Sequence, residues 1–119
     1  MTGHRTERIG HLIREKIGAL ILEGQIKDPR VNSLLSINHV KVSRDLSYAD
    51  VYVSSVNPEG SVAKGVAGLE SAAGFIQSVL ARILYIRQIP HLRFHEDTTI
   101  KEGFDLVKKI EDLAKDEGN

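Results

Sequence analysis

The chain has no cysteine and no tryptophan, one methionine and three prolines among its 119 residues. The absence of cysteine excludes a disulfide framework, a thiolate zinc site and a cysteine nucleophile together. Apolar runs are short, none exceeding four residues, as at Ala19–Leu22, far below the length of a membrane span. Residues 1–10 hold two arginines, a glutamate and no apolar core, so they do not read as a secretory signal. The expectation is a cytoplasmic protein with one domain over residues 1–119, in which 1–4 and 116–119 are frayed. A cofactor, a metal, a membrane and a small-molecule substrate are not expected.

Net charge is missing too: sixteen basic side chains face sixteen acidic ones. The balance is uneven along the chain. Residues 1–95 carry twelve basic and eight acidic side chains, and residues 96–119 carry four basic and eight acidic. Between Ser71 and His95 there are three arginines (Arg82, Arg87 and Arg93) and no carboxylate. Attraction to phosphate acts through local patches rather than through the sum, so neutrality does not exclude a nucleic-acid partner.

Apolar residues at steps of three and four (Ile9, Leu12, Ile13, Ile17, Leu20, Ile21) predict a helix from about Arg5 to Glu23, stopped by Gly24. Leu34–Val42 is β-branched, and its Ile37–Val40–Val42 spacing predicts a strand with a bulge near Asn38-His39. After a turn at Ser43–Ser47, Tyr48–Val56 alternates cleanly and predicts an antiparallel partner. Asn57–Gly60 breaks the pattern. Helices are predicted over Ser61–Glu70 and Gly74–Ile86, the latter with a stripe of Ile76, Val79, Leu80, Ile83 and Leu84. Pro90 ends helical character, and Leu92–His95 alternates as a third strand. Thr99–Glu102 is a capping box opening a last helix with Ile100, Phe104, Val107, Ile110 and Ala114 on its stripe. The order α-β-β-α-α-β plus a C-terminal helix predicts an α+β domain whose three-stranded sheet is covered on one face by helices.

The joint between the two middle helices is the place to look for a backbone site. Gly65-Val66-Ala67-Gly68 is a literal Gly-x-x-Gly string, but as a joint it leaves a first helix of four residues, and close helix packing explains its small side chains. Ser71-Ala72-Ala73-Gly74 divides the segment into two reasonable helices. Small side chains there let another backbone approach, beside helix N-terminal amides that attract anions.

Over residues 5–110 the sequence resembles the ribosome-binding factor A family. The resemblance rests on Val40-Lys41-Val42-Ser43-Arg44-Asp45-Leu46 with Tyr48-Ala49-Asp50-Val51-Tyr52-Val53, on Ser71-Ala72-Ala73-Gly74-Phe75-Ile76, and on Arg87-Gln88-Ile89-Pro90-His91-Leu92-Arg93-Phe94. It implies a type II KH-like domain and a non-catalytic RNA-binding assembly factor. Such a factor associates with free 30S ribosomal subunits and assists late maturation of 16S rRNA near its 5′-terminal region; nothing in the sequence demands more than a monomer. KH domains clamp about four nucleotides with a Gly-x-x-Gly loop. The family replaces that loop with an Ala-x-Gly kink, matched here by Ala72-Ala73-Gly74.

Candidate RNA-binding residues are therefore Ser71, Ala72, Ala73, Gly74 and Phe75 at the joint, with Arg82 in line with Phe75 on the same helix. Phe75 has two readings, a stacking surface or packing against the neighbouring helix. Lys41 and Arg44 flank the hairpin turn, and Arg87 and Arg93 flank the last strand. These four form one basic rim if strands one and three are neighbours, as the resembled fold is expected to have them. His91 and His95 lie about 13 Å apart on a strand, too far to share a metal. No Gly-x-Ser-x-Gly, Gly-Lys-Ser/Thr or His-Glu-x-x-His string is present. The alternative to RNA binding is a protein-interaction adaptor with a KH-like fold, docking a basic partner on its acidic C-terminal helix.

Overall fold

Six elements follow one another through the computed structural model, which describes residues 2–55 and 62–97. They are α1 (Thr2–Leu22), β1 (Leu35–Val42), β2 (Tyr48–Ser55), α2 (Val62–Ser71), α3 (Ala73–Ile83) and β3 (His91–Glu96). The Asn57–Gly60 break and the C-terminal helix predicted from Ile100 lie outside the described residues.

The first helix buries Ile9, Ile13, Ile17, Leu20 and Ile21, while Leu12, at the margin of the predicted stripe, stays 45% exposed. It stops as the glycine predicts. Gly24 sits at φ +67°, its amide bonds the Ile21 carbonyl, and the Gln25 amide reaches back to the Leu20 carbonyl. That pair of bonds is the left-handed glycine cap that satisfies the last free carbonyls of a helix.

The two strands of the hairpin pair antiparallel, and their register shifts between Ile37 and His39. The extra residue is the predicted bulge. It lets Ile37 pack against the core with Val40 and Val42 despite their three-residue spacing. The sheet order is β1-β2-β3, with β3 parallel to β2. Strands one and three are therefore not neighbours, and the expected rim joining them is corrected. The reason lies in β2, whose Ala49, Val51 and Val53 are all fully buried. A strand with so buried a face takes the centre, and the α2–α3 crossover returns β3 parallel on its free side.

The third helix ends at Ile83 rather than Ile86. Leu84 turns extended (φ −94°, ψ 125°) while its amide still bonds the Leu80 carbonyl, and this keeps the Leu84 side chain in the core. Ile83, assigned to the buried stripe by spacing, is turned outward and 41% exposed.

Two close approaches bring the helices onto the sheet. A Cβ at Gly10 would stand 2.8 Å from the Val40 carbonyl oxygen, and one at Gly65 2.7 Å from the Leu35 methyls. The Gly65–Gly68 string thus serves close packing, and Ser71–Gly74 is the joint.

The same substitution in one helix is expected to act with opposite signs. Gly10→Ala drives a methyl into a backbone carbonyl that has no flexible end to move, so it should destabilise by about 1–3 kcal/mol. At Gly18 an added Cβ meets no described atom within 4 Å, so Gly18→Ala should stabilise by about 0.5–1 kcal/mol through helix propensity. Thermal or denaturant unfolding of the two variants checks both signs.

Candidate nucleic-acid interface

The joint forms because α2 and α3 meet at a single non-helical residue. Ala72 closes α2, its amide bonding the carbonyls of Gly68 and Leu69 at 3.1 Å each, and it also stands as the N-cap of α3 (φ −92°, ψ 2°). Having only a methyl, it offers no side-chain acceptor to the first amides of α3, unlike a Ser or Asp cap. Those amides and the positive end of the helix dipole remain for an anion.

The corner lies at the surface. Gly74 and Phe75 are exposed, Ala72 and Ala73 half-buried. No described atom comes within 4 Å of a Cβ built on Gly74, and its φ is not positive. Nothing described inside the molecule requires glycine there, although glycine in a helix costs about 0.5–1 kcal/mol relative to alanine.

The loop between α1 and β1 is clamped against this corner. Asp28 accepts hydrogen bonds from the Arg30 amide (2.9 Å), Nε (3.0 Å) and Nη2 (2.8 Å), and Nη2 also donates to Ser71 Oγ at 3.1 Å. A shallow cleft of about 330 Å³ results, lined by Gln25, Lys27, Asp28, Ser71, Ala72 and Phe75. Phe75 lines the cleft and is 45% exposed, leaving part of its ring accessible. Two carboxylates beside the joint are engaged: Asp28 holds Arg30, and Glu70 Oε1 accepts the Phe94 amide at 3.0 Å. The hydrogen bonds from Arg30 pull the Asp28 carboxyl down to about 2, and the same contact raises the Arg30 guanidinium.

The candidate residues do not gather in one place. Ser71, Ala72, Ala73, Gly74 and Phe75 make the corner, and Arg82 follows two turns along α3, exposed and without an ion pair among the described residues. Arg87 is exposed in the α3–β3 loop. Lys41 and Arg93 lie on the sheet face turned away from the helices, Arg93 bound to Asp50 at 2.9 Å, and Arg44 is in the hairpin turn. Composition and spacing did not single out Arg30, the residue that ties the loop to Ser71. Tyr85, fully exposed between Arg82 and Arg87, is an aromatic interleaved with basic residues, a pattern visible in the sequence.

Helix, β-hairpin, helix pair and returning parallel strand, with helices on one face of the sheet, define a KH-like α+β domain. The family model of ribosome-binding factor A matches residues 5–110, and the chain belongs to that family. It is 57% identical over 113 residues to ribosome-binding factor A of Treponema denticola, covering 95% of this chain and 86% of the relative. Identity to that of Treponema pallidum strain Nichols is 50% over 109 residues, 92% of this chain and 86% of the relative. The crystal structure of ribosome-binding factor A from Thermus thermophilus superposes with a TM-score of 0.63 at 25% identity, over 76% of this chain and 94% of that one. A homology model of the Thermus thermophilus factor, fitted into a cryo-electron microscopy map of its 30S complex, gives 0.57 at 26% identity, over 74% and 90%.

The Asp28 clamp should persist far into acid. Its carboxyl has a folded value of about 2 against an ordinary 3.8, so its contribution to stability is present above the ordinary value and is lost as pH falls through the folded one. A carbon-detected NMR titration should give the Asp28 midpoint near 2, and Arg30→Ala should return it towards 3.8.

Proposed function

We propose that this chain is a non-catalytic RNA-binding assembly factor that associates with free 30S subunits and assists late maturation of 16S rRNA near its 5′-terminal region. It acts as a cytoplasmic, single-domain monomer. Membership of the ribosome-binding factor A family and the 30S complex of the Thermus relative support this reading. The observation that carries it is the exposed joint, where no described neighbour requires Gly74 to be glycine and Asp28 and Glu70 are already bonded.

The chemistry at the joint is recognition. An RNA backbone can come close over Ala72-Ala73-Gly74, its phosphate meeting the uncapped amides of α3, while Lys27 and Arg82 supply further cations. Phe75 offers a flat apolar face beside them. A protein of this kind favours one rRNA arrangement only by binding it more tightly than the competing ones.

Sedimentation with separated ribosomal subunits tests the proposal. The chain should travel with free 30S subunits, and recovery from extract should be lost after ribonuclease treatment. Ribonuclease-resistant recovery of a basic protein would instead favour the adaptor reading, to which the neutral total charge points. Gly74→Val should reduce association by tenfold or more while leaving unfolding free energy within about 0.5 kcal/mol, because its side chain meets RNA and not protein. With about five phosphates contacted, log affinity should fall against log salt with a slope of about −3.5 for unpaired RNA. A salt-independent affinity would rule out phosphate contact.

A further inference from the structure

We propose that the sheet face turned away from the helices is a second RNA surface, which takes unpaired nucleotides by stacking their bases on a ladder of His39, Tyr52 and His95. The inference rests on the RNA-binding reading above and adds to it the class of RNA bound and the place.

The strand register builds the ladder. His39 pairs with Tyr52 and Tyr52 with His95. Their ring centroids lie 5.7 Å and 5.3 Å apart, with interplanar angles of 26° and 30°. The outer two rings belong to the edge strands β1 and β3, so among the described residues the stack has two open ends. His39 and His95 are exposed there, each able to take one more flat ring.

Next to the ladder, Lys41, Asp50 and Arg93 occupy one row of the register. Asp50 is used twice, accepting Arg93 Nε at 2.9 Å and His95 Nε2 at 2.8 Å. Burial acts to raise its carboxyl, but the hydrogen bonds from His95 and Arg93 outweigh that and hold it below its ordinary value. Asp50 thus positions the terminal ring of the ladder and the arginine. Beyond that row, Tyr48 and His91 meet edge to face at 6.0 Å, and the Arg93 guanidinium carbon stands 4.3 Å from the Tyr48 ring centroid.

The rings select the occupant. Three imidazoles face outward with Lys41 and Arg93, while Asp50 is already engaged by Arg93 and His95 and Asp97, at the far end, accepts from Asn38 at 2.9 Å. Flat rings with open ends beside cations suit a base and its phosphate. A duplex keeps its bases stacked inside and has none to offer.

Fluorescence anisotropy of the full chain with a labelled mixed-sequence oligoribonucleotide, unpaired or annealed to its complement, tests the assignment. Tyr52→Leu, which keeps apolar bulk but removes the ring, should weaken unpaired RNA about tenfold and change duplex affinity by less than twofold. Tyr52→Phe should restore binding. His95→Ala, at an exposed position, repeats the test should Tyr52→Leu not fold. Equal loss for both RNAs, or no loss for either, overturns the proposal. So does a chain whose Tyr52 ring contacts residues 98–119 by nuclear Overhauser effects, or one that sediments as a dimer through this face. Failure of the wild type to travel with 30S subunits would sink the preceding reading, whereas this measurement on free RNA stands apart from it.

Discussion

A three-stranded sheet with helices on one side must carry two chemistries on one strand, and β2 bears that constraint. Its inward residues Ala49, Val51 and Val53 are fully buried, while Tyr48, Asp50 and Tyr52 alternate to the other face. With hydrogen-bonded neighbours on both sides, β2 cannot slip by one residue without exchanging these sets and burying a carboxylate. The register therefore settles which side the helices occupy, and with it where the two surfaces proposed above for RNA lie: the corner between α2 and α3, and the sheet face turned away from the helices.

The glycines show how closely the helical layer is fitted. Gly10 and Gly65 stand where a methyl would strike a carbonyl or a leucine, so each is explained by the fold. Gly74 is not. Helix propensity disfavours it, no described neighbour requires it, and the main chain around it is ordinary. A local rule broken without internal compensation is expected where a molecule meets something outside itself. At this corner the missing cap of α3, the bonded carboxylates and the absent side chain all leave the same spot open to an incoming backbone.

Much of this was legible in the sequence because it is periodic or local. The stripe of α1, its glycine stop and the bulge implied by the Ile37–Val40 spacing need only near neighbours. The corner was also legible, since only a break at Ser71–Gly74 leaves two helices of workable length. What could not be read depends on pairings between distant segments. Strand order follows from how completely β2 is buried, which alternation alone does not grade. Arg30 reaches Ser71 across 41 residues, so its role as a clamp leaves no mark in either local pattern. The ring ladder is hidden for the same reason: His39, Tyr52 and His95 come from three strands, and each reads singly as an ordinary outward residue until the register aligns them.

The neutral total charge gains a physical meaning from this arrangement. A strongly basic chain is attracted to any RNA at long range, and that attraction does not discriminate. Here residues 96–119 offset the basic excess of residues 1–95, so if the chain binds RNA as proposed, the distant field is weak and much of the favourable energy must arise at contact. Close backbone approach at Gly74 and ring stacking are both short-range, and both fail when the RNA has the wrong shape or its bases are paired. On the RNA-binding reading proposed above, a small neutral domain with such surfaces would reject most RNA it meets, a requirement for any protein that must distinguish one folded state of an RNA from another among identical sequences.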